Sequence, residues 1–175
     1  MKNRPLHFRM LRPVLCVIMA MILLTACKEK ATQKFILSDI AFTAEPPLYD
    51  GPNTLQAQFR FDPKTMNYEM KQEEIQRVVL TQATLTTSDS AGFDMVRNFV
   101  LQFATNDAAM EKAAVLNPVP KGVNSIQLIP SAEADLSEHF KQSEITLVLD
   151  ADLEGDREEV LTYHGTLEFD ITYNP

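Results

Sequence analysis

The densest group of side chains that could do chemistry is an acidic run at residues 150–159, Asp-Ala-Asp-Leu-Glu-Gly-Asp-Arg-Glu-Glu. Its first six positions alternate oxygen ligands and place a glycine at the bend, as a calcium-binding EF-hand loop does. Asp150, Asp152 and Asp156 are therefore candidate Ca²⁺ ligands. Two features oppose this interpretation, because the twelfth position is Leu161 instead of a bidentate glutamate, and a strand pattern precedes the run. The competing interpretation is a solvated turn whose acids face outward.

Two histidines lie beyond the first 26 residues, His139 and His164, and both are predicted to be solvated. Neither has another histidine, a cysteine or a carboxylate at the spacing of a zinc site. No serine lies in a Gly-x-Ser-x-Gly or Ser-x-x-Lys motif, and the five glycines are too scattered for a phosphate-binding loop. The chain has no Trp to stack on a sugar, which disfavours carbohydrate binding. The sequence thus predicts neither an enzyme nor a cofactor, and a hydrolase assembled from distant residues is a further alternative.

Cys27 is the strongest candidate for a modified residue. Basic residues at positions 2, 4, 9 and 12 precede an apolar run, 14–24, that is shorter than the roughly 20 residues a membrane-spanning helix needs. The run ends in Leu24-Thr25-Ala26-Cys27, which resembles the lipobox of bacterial lipoproteins. The resemblance implies that residues 1–26 are a removed signal peptide and that acyl chains on Cys27 hold the protein to a lipid bilayer. Lys28 stands where enteric bacteria place an inner-membrane aspartate, so the resemblance favours the outer membrane of the cell envelope.

Charge and cysteine content restrict the remaining chain further. Removing residues 1–26 takes four of the 16 basic residues and none of the 24 acidic ones, which leaves a formal charge of −12. This charge disfavours nucleic acid as a partner, since nucleic-acid binding depends on neutralising phosphates. Cys16 would leave with the signal peptide and Cys27 would be acylated, so no disulfide is possible.

The pattern of the mature chain predicts a lipidated tether, 27–33, and one β domain, 34–175. A period of two dominates the domain. Ile36, Ser38, Ile40 and Phe42 share one face of a first strand, and Leu55, Ala57, Phe59 and Phe61 share one face of a second. Further strands are predicted at 78–87, 98–104 and 125–129, with an edge strand through Met66, Tyr68 and Met70. Helices are predicted at 107–116 and 135–141, and residues 145–153 and 161–173 are predicted to pair as a C-terminal hairpin with odd-numbered residues inward.

These elements predict an all-β fold, an antiparallel immunoglobulin-like β-sandwich with one or two short helical connectors. The layout resembles uncharacterised small lipoproteins with such sandwiches in Bacteroidota-type envelopes. The resemblance is carried by the lipobox, by 85–94 (Leu-Thr-Thr-Ser-Asp-Ser-Ala-Gly-Phe-Asp), and by 135–140 leading into 145–149. It implies no activity.

Two functional hypotheses follow. The first is a non-enzymatic, membrane-anchored envelope lipoprotein whose domain contacts another envelope protein or acts as an accessory subunit, since sandwich edges can accept an added strand. The second is a Ca²⁺- or small-ligand-binding module that uses the tip at 150–159.

Overall fold

A computed structural model of the protein describes residues 29–66, 68–89 and 92–175. Eight strands make up most of this region: β1 (Ala31–Ala44), β2 (Gly51–Arg60), β3 (Ile75–Thr86), β4 (Val96–Ala104), β5 (Glu111–Leu116), β6 (Ser125–Pro130), β7 (Glu144–Leu153) and β8 (Leu161–Tyr173). One short α-helix, α1 (Ser137–Phe140), and a 3₁₀ turn at Gln72–Glu74 lie between strands. No helix of the described residues is long and apolar enough to cross a membrane.

The strands form a closed antiparallel barrel in the order β1-β2-β7-β4-β5-β6-β3-β8. Pairing is uneven around it. Long ladders join β1, β8, β3 and β6 into one group and β2, β7, β4 and β5 into another, whereas β1–β2 and β5–β6 meet over one and two residue pairs. The first strand pairs with the eighth, the second with the seventh, the third with the sixth and the fourth with the fifth. This rolled-up arrangement of eight strands is a jelly roll.

The predicted all-β antiparallel class is confirmed, but the strand order differs from an immunoglobulin-like sandwich, in which strands A and B pair within the ABED sheet. The predicted C-terminal hairpin is also wrong. β7 pairs with β2 and β4, and β8 pairs with β1 and β3, so the two strands belong to opposite groups. Their inward faces are nevertheless odd-numbered as predicted, because burial alternates along each strand wherever its partner lies.

Two further segments depart from the predictions. Residues 107–116 contain the strand β5 in place of a helix, since backbone pairing with β4 outweighs the helix propensity of an Ala-, Glu- and Lys-rich run. The predicted edge strand through Met66, Tyr68 and Met70 is wrong at the described positions, because Met66 lies in a turn, residues 68–70 form no strand, and the Met70 side chain is buried. β1 starts at Ala31, within the segment 27–33 that the sequence predicts as a tether.

A β-bulge changes which face of β1 points inward. The pairing with β8 shifts between Leu37 and Ile40, and Asp39 adopts a positive φ of 55° there. Phe35 is buried before the bulge, and Ile40 and Phe42 are buried after it. The predicted inward face therefore holds only beyond the bulge, and Ile36 is 54% exposed.

Because neighbouring strands are antiparallel, the connections gather at two ends. We call the end formed by 45–50, 87–89, 92–95, 117–124 and 154–160 the loop pole. The opposite end carries the start of β1, the end of β8 and the connections 61–74, 105–110 and 131–143. Phe140 of α1 plugs that end, with its ring centre 4.8 Å from Phe61 and 5.1 Å from Phe169. At the loop pole, Phe93 stacks on Tyr163 at 4.9 Å.

Candidate functional site

The candidate calcium ligands lie at or near the loop pole, but their carboxylate oxygens already accept hydrogen bonds from other residues of the protein. Asp150 projects from the outer face of β7. Its Oδ1 accepts a hydrogen bond from the Thr54 hydroxyl and its Oδ2 accepts one from the Gln102 amide, each at 2.7 Å. The carboxylate thus fixes side chains of β2 and β4 across the outer face of the sheet.

Arg97 links Asp152 to the first loop. Its guanidinium donates to Asp152 Oδ1 at 2.8 Å and to Asp50 Oδ1 at 2.7 Å, and these hydrogen bonds, led by the one to Asp50, raise the pKa of Arg97. The other oxygen of Asp152 accepts from the Asn98 amide at 3.0 Å. Asp156 lies in the loop that follows β7, and its Oδ1 accepts from the backbone N–H of Asp50 at 2.9 Å. Each of the three predicted ligands is therefore engaged within the protein.

Two further ion pairs tie the loops of the loop pole together. Lys121 donates to Glu154 Oε1 at 2.7 Å and to the backbone carbonyl of Asp94 at 2.5 Å. Arg157 pairs with Asp89. Within residues 29–66, 68–89 and 92–175, no group of three or more His, Cys, Asp or Glu side chains is placed to hold a metal ion. In the described residues, the acidic side chains of the loop pole form ion pairs and hydrogen bonds that connect neighbouring loops.

The two histidines occupy different environments. His164 lies on the outer face of β8 as predicted, with Nδ1 2.9 Å from Asp39 Oδ1 at the β1 bulge. His139, in contrast, is only 2% exposed, so the prediction that it is solvated is wrong. Burial lowers the pKa of His139, and its Nδ1 lies 3.2 Å from the Thr105 hydroxyl. Neither histidine has a serine or cysteine among its hydrogen-bond partners in the described residues.

A shallow groove of about 320 Å³ lies on the outer face of the sheet formed by β2, β7 and β4. We call it the sheet groove. Six polar side chains line it: Gln56, Gln58, Thr105, Asn106, Glu144 and Thr146. Val148, which is 7% exposed, forms an apolar floor with Ala104, and the exposed side chains of Met110 and Glu144 lie at its margin.

The register explains how distant residues meet in the sheet groove. Gln56 lies directly opposite Val148, and Gln58 lies directly opposite Thr146. Thr105 and Asn106 follow the end of β4, whose Ala104 pairs with Thr146 on the other side of β7. The alternation of the second predicted strand indicates that Gln56 and Gln58 face outward, whereas Asn106 directly precedes the helix predicted at 107–116. No sequence signal joins the three segments, because they are adjacent only through β7.

Cys27, the predicted lipid-attachment residue, and the rest of residues 1–28 lie outside the described residues. The structure starts beside them, at the end of the barrel opposite the loop pole. The first described residues and the predicted acidic tip at 150–159 therefore lie at opposite ends of the barrel.

Comparison with known proteins shows no family for this chain. No protein family model matches the chain, and no curated protein does. One similar solved structure is that of infectious bursal disease virus Gt strain, with a TM-score of 0.40, 13% identity and coverage of 82% of this chain. Another is that of the infectious bursal disease virus VP2 subviral particle, with a TM-score of 0.34, 11% identity and coverage of 83% of this chain. The chain spans about a third of the length of each, 32% and 33%. Assignment to the jelly rolls therefore rests on the strand order itself.

Proposed function

We propose that this chain is an envelope lipoprotein, held to a membrane by acyl chains on Cys27, whose non-enzymatic domain contacts another envelope protein through the loop pole. The lipobox-like segment 24–27 supports the anchor, and the residue after it, Lys28, supports the outer membrane. From the immunoglobulin-like prediction we retain only an all-β, antiparallel domain around one core, since the strand order is that of a jelly roll.

The position of β1 is the observation that carries this proposal. The strand begins at Ala31, four residues after Cys27, so an extended tether reaches at most about 14 Å. β1 then runs for 14 residues, about 45 Å along the strand, before it enters the loop pole. An anchor at Cys27 would thus hold one end of the barrel against the bilayer and present the loop pole on the far side.

The loop pole has the character of a contact surface. Tyr49 and Val160, two large side chains of its loops, are 62% and 47% exposed. Aromatic residues are enriched in protein interfaces, where a polar rim commonly surrounds them. The ion pairs of Arg97 and Lys121 hold neighbouring loops together, so less conformational freedom would be lost when a partner binds.

Strand addition at a sheet edge, the binding mode suggested by the sequence, is less well supported. Among the described residues, β1 and β2 share only the pair Thr43–Gln56, so the part of β1 before Thr43 has no paired strand on its β2 side. This edge carries Lys34 and the bulge at Asp39, and the Tyr68 hydroxyl from the 61–74 connection donates to the Lys34 carbonyl at 3.4 Å. A lysine, a bulge and a covering loop are the features by which proteins protect sheet edges from added strands.

Membrane flotation of the full chain tests the anchor, with Cys27→Ser as the variant and Cys16→Ser as its matched control. We expect the wild type and Cys16→Ser to float with lipid and Cys27→Ser to remain in the soluble or uncleaved precursor fraction. The mass of the N-terminal peptide should include acyl chains on Cys27. An unmodified peptide, or flotation of a cleaved Cys27→Ser protein, would contradict the proposal.

Site-specific photo-crosslinking tests the contact surface. A crosslinking amino acid at Tyr49 should give a discrete adduct with another envelope protein in intact cells, whereas the same probe at exposed Gln127, on β6, should not. Adducts that form equally from both positions, or from neither while the anchor is intact, would refute a role for the loop pole.

A further inference from the structure

We propose that the sheet groove binds an uncharged, hydroxyl-rich ligand, a segment of a neutral oligosaccharide. The proposal starts from hydrogen bonds that are not made. Through their side chains, Gln56, Gln58, Asn106 and Thr146 form no hydrogen bond within the part of the chain that the structure describes. Toward the loop pole on the same sheet face, the side chains of Thr54, Asp150 and Gln102 are all paired.

The chemistry of these free groups matches a hydroxyl better than an ion. A primary amide offers two donors and one acceptor, and a hydroxyl offers one donor and two acceptors, so each can serve a sugar hydroxyl in either role. The one ionisable residue of the lining, Glu144, lies directly opposite Arg60 on β2. An anionic ligand would find no cation in this lining and a cationic ligand only the carboxylate of Glu144, whereas a polyol would find several donors and acceptors.

Thr105 is held in place from inside the domain. Its hydroxyl lies 3.2 Å from Nδ1 of His139, a residue of α1 that is almost fully buried. Burial lowers the pKa of His139 and favours the neutral imidazole, and in the tautomer protonated on Nε2 its Nδ1 accepts a hydrogen bond from the hydroxyl. The lone pairs of Thr105 Oγ1 would then be left to accept from a ligand, in an orientation fixed before the ligand arrives.

The floor of the sheet groove suits the C–H surface of a sugar ring. Val148 and Ala104 provide a small apolar surface, and Met110, 53% exposed, provides a flexible apolar wall. The volume of about 320 Å³ lies at the lower end of the range of about 300–1,000 Å³ for ligand sites. An apolar floor with a few polar groups around it is the usual construction of such sites, and the lack of an aromatic platform predicts modest affinity.

The site is independent of the anchor, since all of its residues lie between Gln56 and Val148. It therefore extends the proposed function to a second partner class, and the two proposals can fail separately. Cys27→Ser protein should retain the binding described below even after it loses membrane attachment.

Calorimetry on the full-length lipoprotein, purified in a zwitterionic detergent without a sugar headgroup, tests the proposal. The probes are maltohexaose, cellohexaose, mannohexaose and xylohexaose, with hexagalacturonate and hexalysine as charged comparators. We expect at least one neutral hexasaccharide to bind in the micromolar to millimolar range, and the charged comparators to give no heat.

Two variants locate the binding. Gln58→Ala combined with Asn106→Ala removes two exposed amides and should weaken binding by about tenfold or more, whereas Gln127→Ala removes an exposed amide on β6 and should change affinity less than about twofold. Thermal unfolding of each variant should match the wild type, because all three residues are exposed. The proposal is overturned if no neutral hexasaccharide gives heat at millimolar concentration, if only a charged comparator binds, or if the groove variant binds as well as Gln127→Ala.

Discussion

Replacing Gly165 with alanine should destabilise the barrel, because no space exists for a methyl group at this position. Gly165 lies on the inward face of β8, paired with Ile40 just beyond the β1 bulge. A Cβ atom there would lie 2.8 Å from Cε2 of Phe42 and 3.4 Å from Cγ2 of Ile40. Non-bonded carbon atoms prefer a separation of about 3.5–4.0 Å, so the Phe42 ring would have to move by about 0.7–1 Å.

The expected cost combines two opposing effects. Phe42 is fully buried, so its ring can move only by displacing other core side chains, and overpacking of this kind costs about 1–3 kcal/mol. Alanine also restricts the unfolded chain, which offsets the cost by about 0.4–1 kcal/mol. The steric effect is the larger one, and we expect a net loss of about 1–2 kcal/mol in the free energy of unfolding.

Urea unfolding of the full chain measures this loss, and a double-mutant cycle assigns its cause. Gly165→Ala combined with Phe42→Leu should be less destabilised than the sum of the single variants, because leucine lacks the ring atom that clashes. Gly155→Ala is the control, since its nearest neighbour, Met95 Cε, is 3.8 Å away, and it should stay within about 0.5 kcal/mol of wild type. Additive single-variant effects, or a Gly165→Ala protein as stable as Gly155→Ala, would refute the steric argument.

Three further substitutions test other parts of the structure by urea unfolding. Burial lowers the pKa of His139 in the folded protein. As the pH falls below about 6.5, the unfolded chain therefore binds a proton at this residue before the folded protein does. The free energy of unfolding of the wild type should then decrease by up to about 1.4 kcal/mol per pH unit, until the pH reaches the lowered pKa. His139→Gln should lose this component and His164→Gln should retain it; parallel pH profiles for all three proteins would contradict the assignment. Phe140→Ala removes the plug of the barrel end and should cost about 3–5 kcal/mol, a value below about 1 kcal/mol being incompatible with the packing described. Asp39→Val places a β-branched residue at a φ of 55° and should cost at least about 1–2 kcal/mol, whereas Asp39→Gly should be better tolerated; equal stability of the two variants would argue against the bulge geometry.

Burial patterns were predictable from sequence where a strand is regular. The inward positions of β7 and β8 follow from simple alternation, and Leu55 and Ala57 of β2 are buried as predicted. The alternation fails in β1, because the bulge inserts a residue and moves Ile36 to the outside. Nothing in the apolar spacing indicates such an insertion, which depends on the partner strand.

Partners of the strands were not predictable from local patterns. The C-terminal strands look like a hairpin because they are adjacent in sequence and share a parity, yet each pairs with strands from elsewhere in the chain. The segment 107–116 illustrates the same limit. Its composition favours a helix by tenths of a kcal/mol per residue, and pairing with β4 reverses that preference.

The candidate sites, like the strands, were predictable from sequence only where they depend on neighbouring residues and not on strand pairing. The acids at 150–159 could be found in the sequence, but their engagement by Thr54, Arg97 and Gln102 could not, since these donors come from β2 and β4. The sheet groove was likewise hidden, because its lining comes from three separate segments joined through β7.

The rolled-up strand order has a consequence for how the chain acquires its structure. Ala31, the first residue of β1, pairs with Tyr173, near the end of the sequence, and β3 uses the same last strand as its neighbour. A polypeptide synthesised from its N-terminus can therefore complete neither ladder until β8, residues 161–173, has been made. Pairings this distant in sequence form slowly. Deleting residues 161–175, which include all of β8, should leave β1 and β3 without their shared neighbour at once and prevent assembly of the whole sheet.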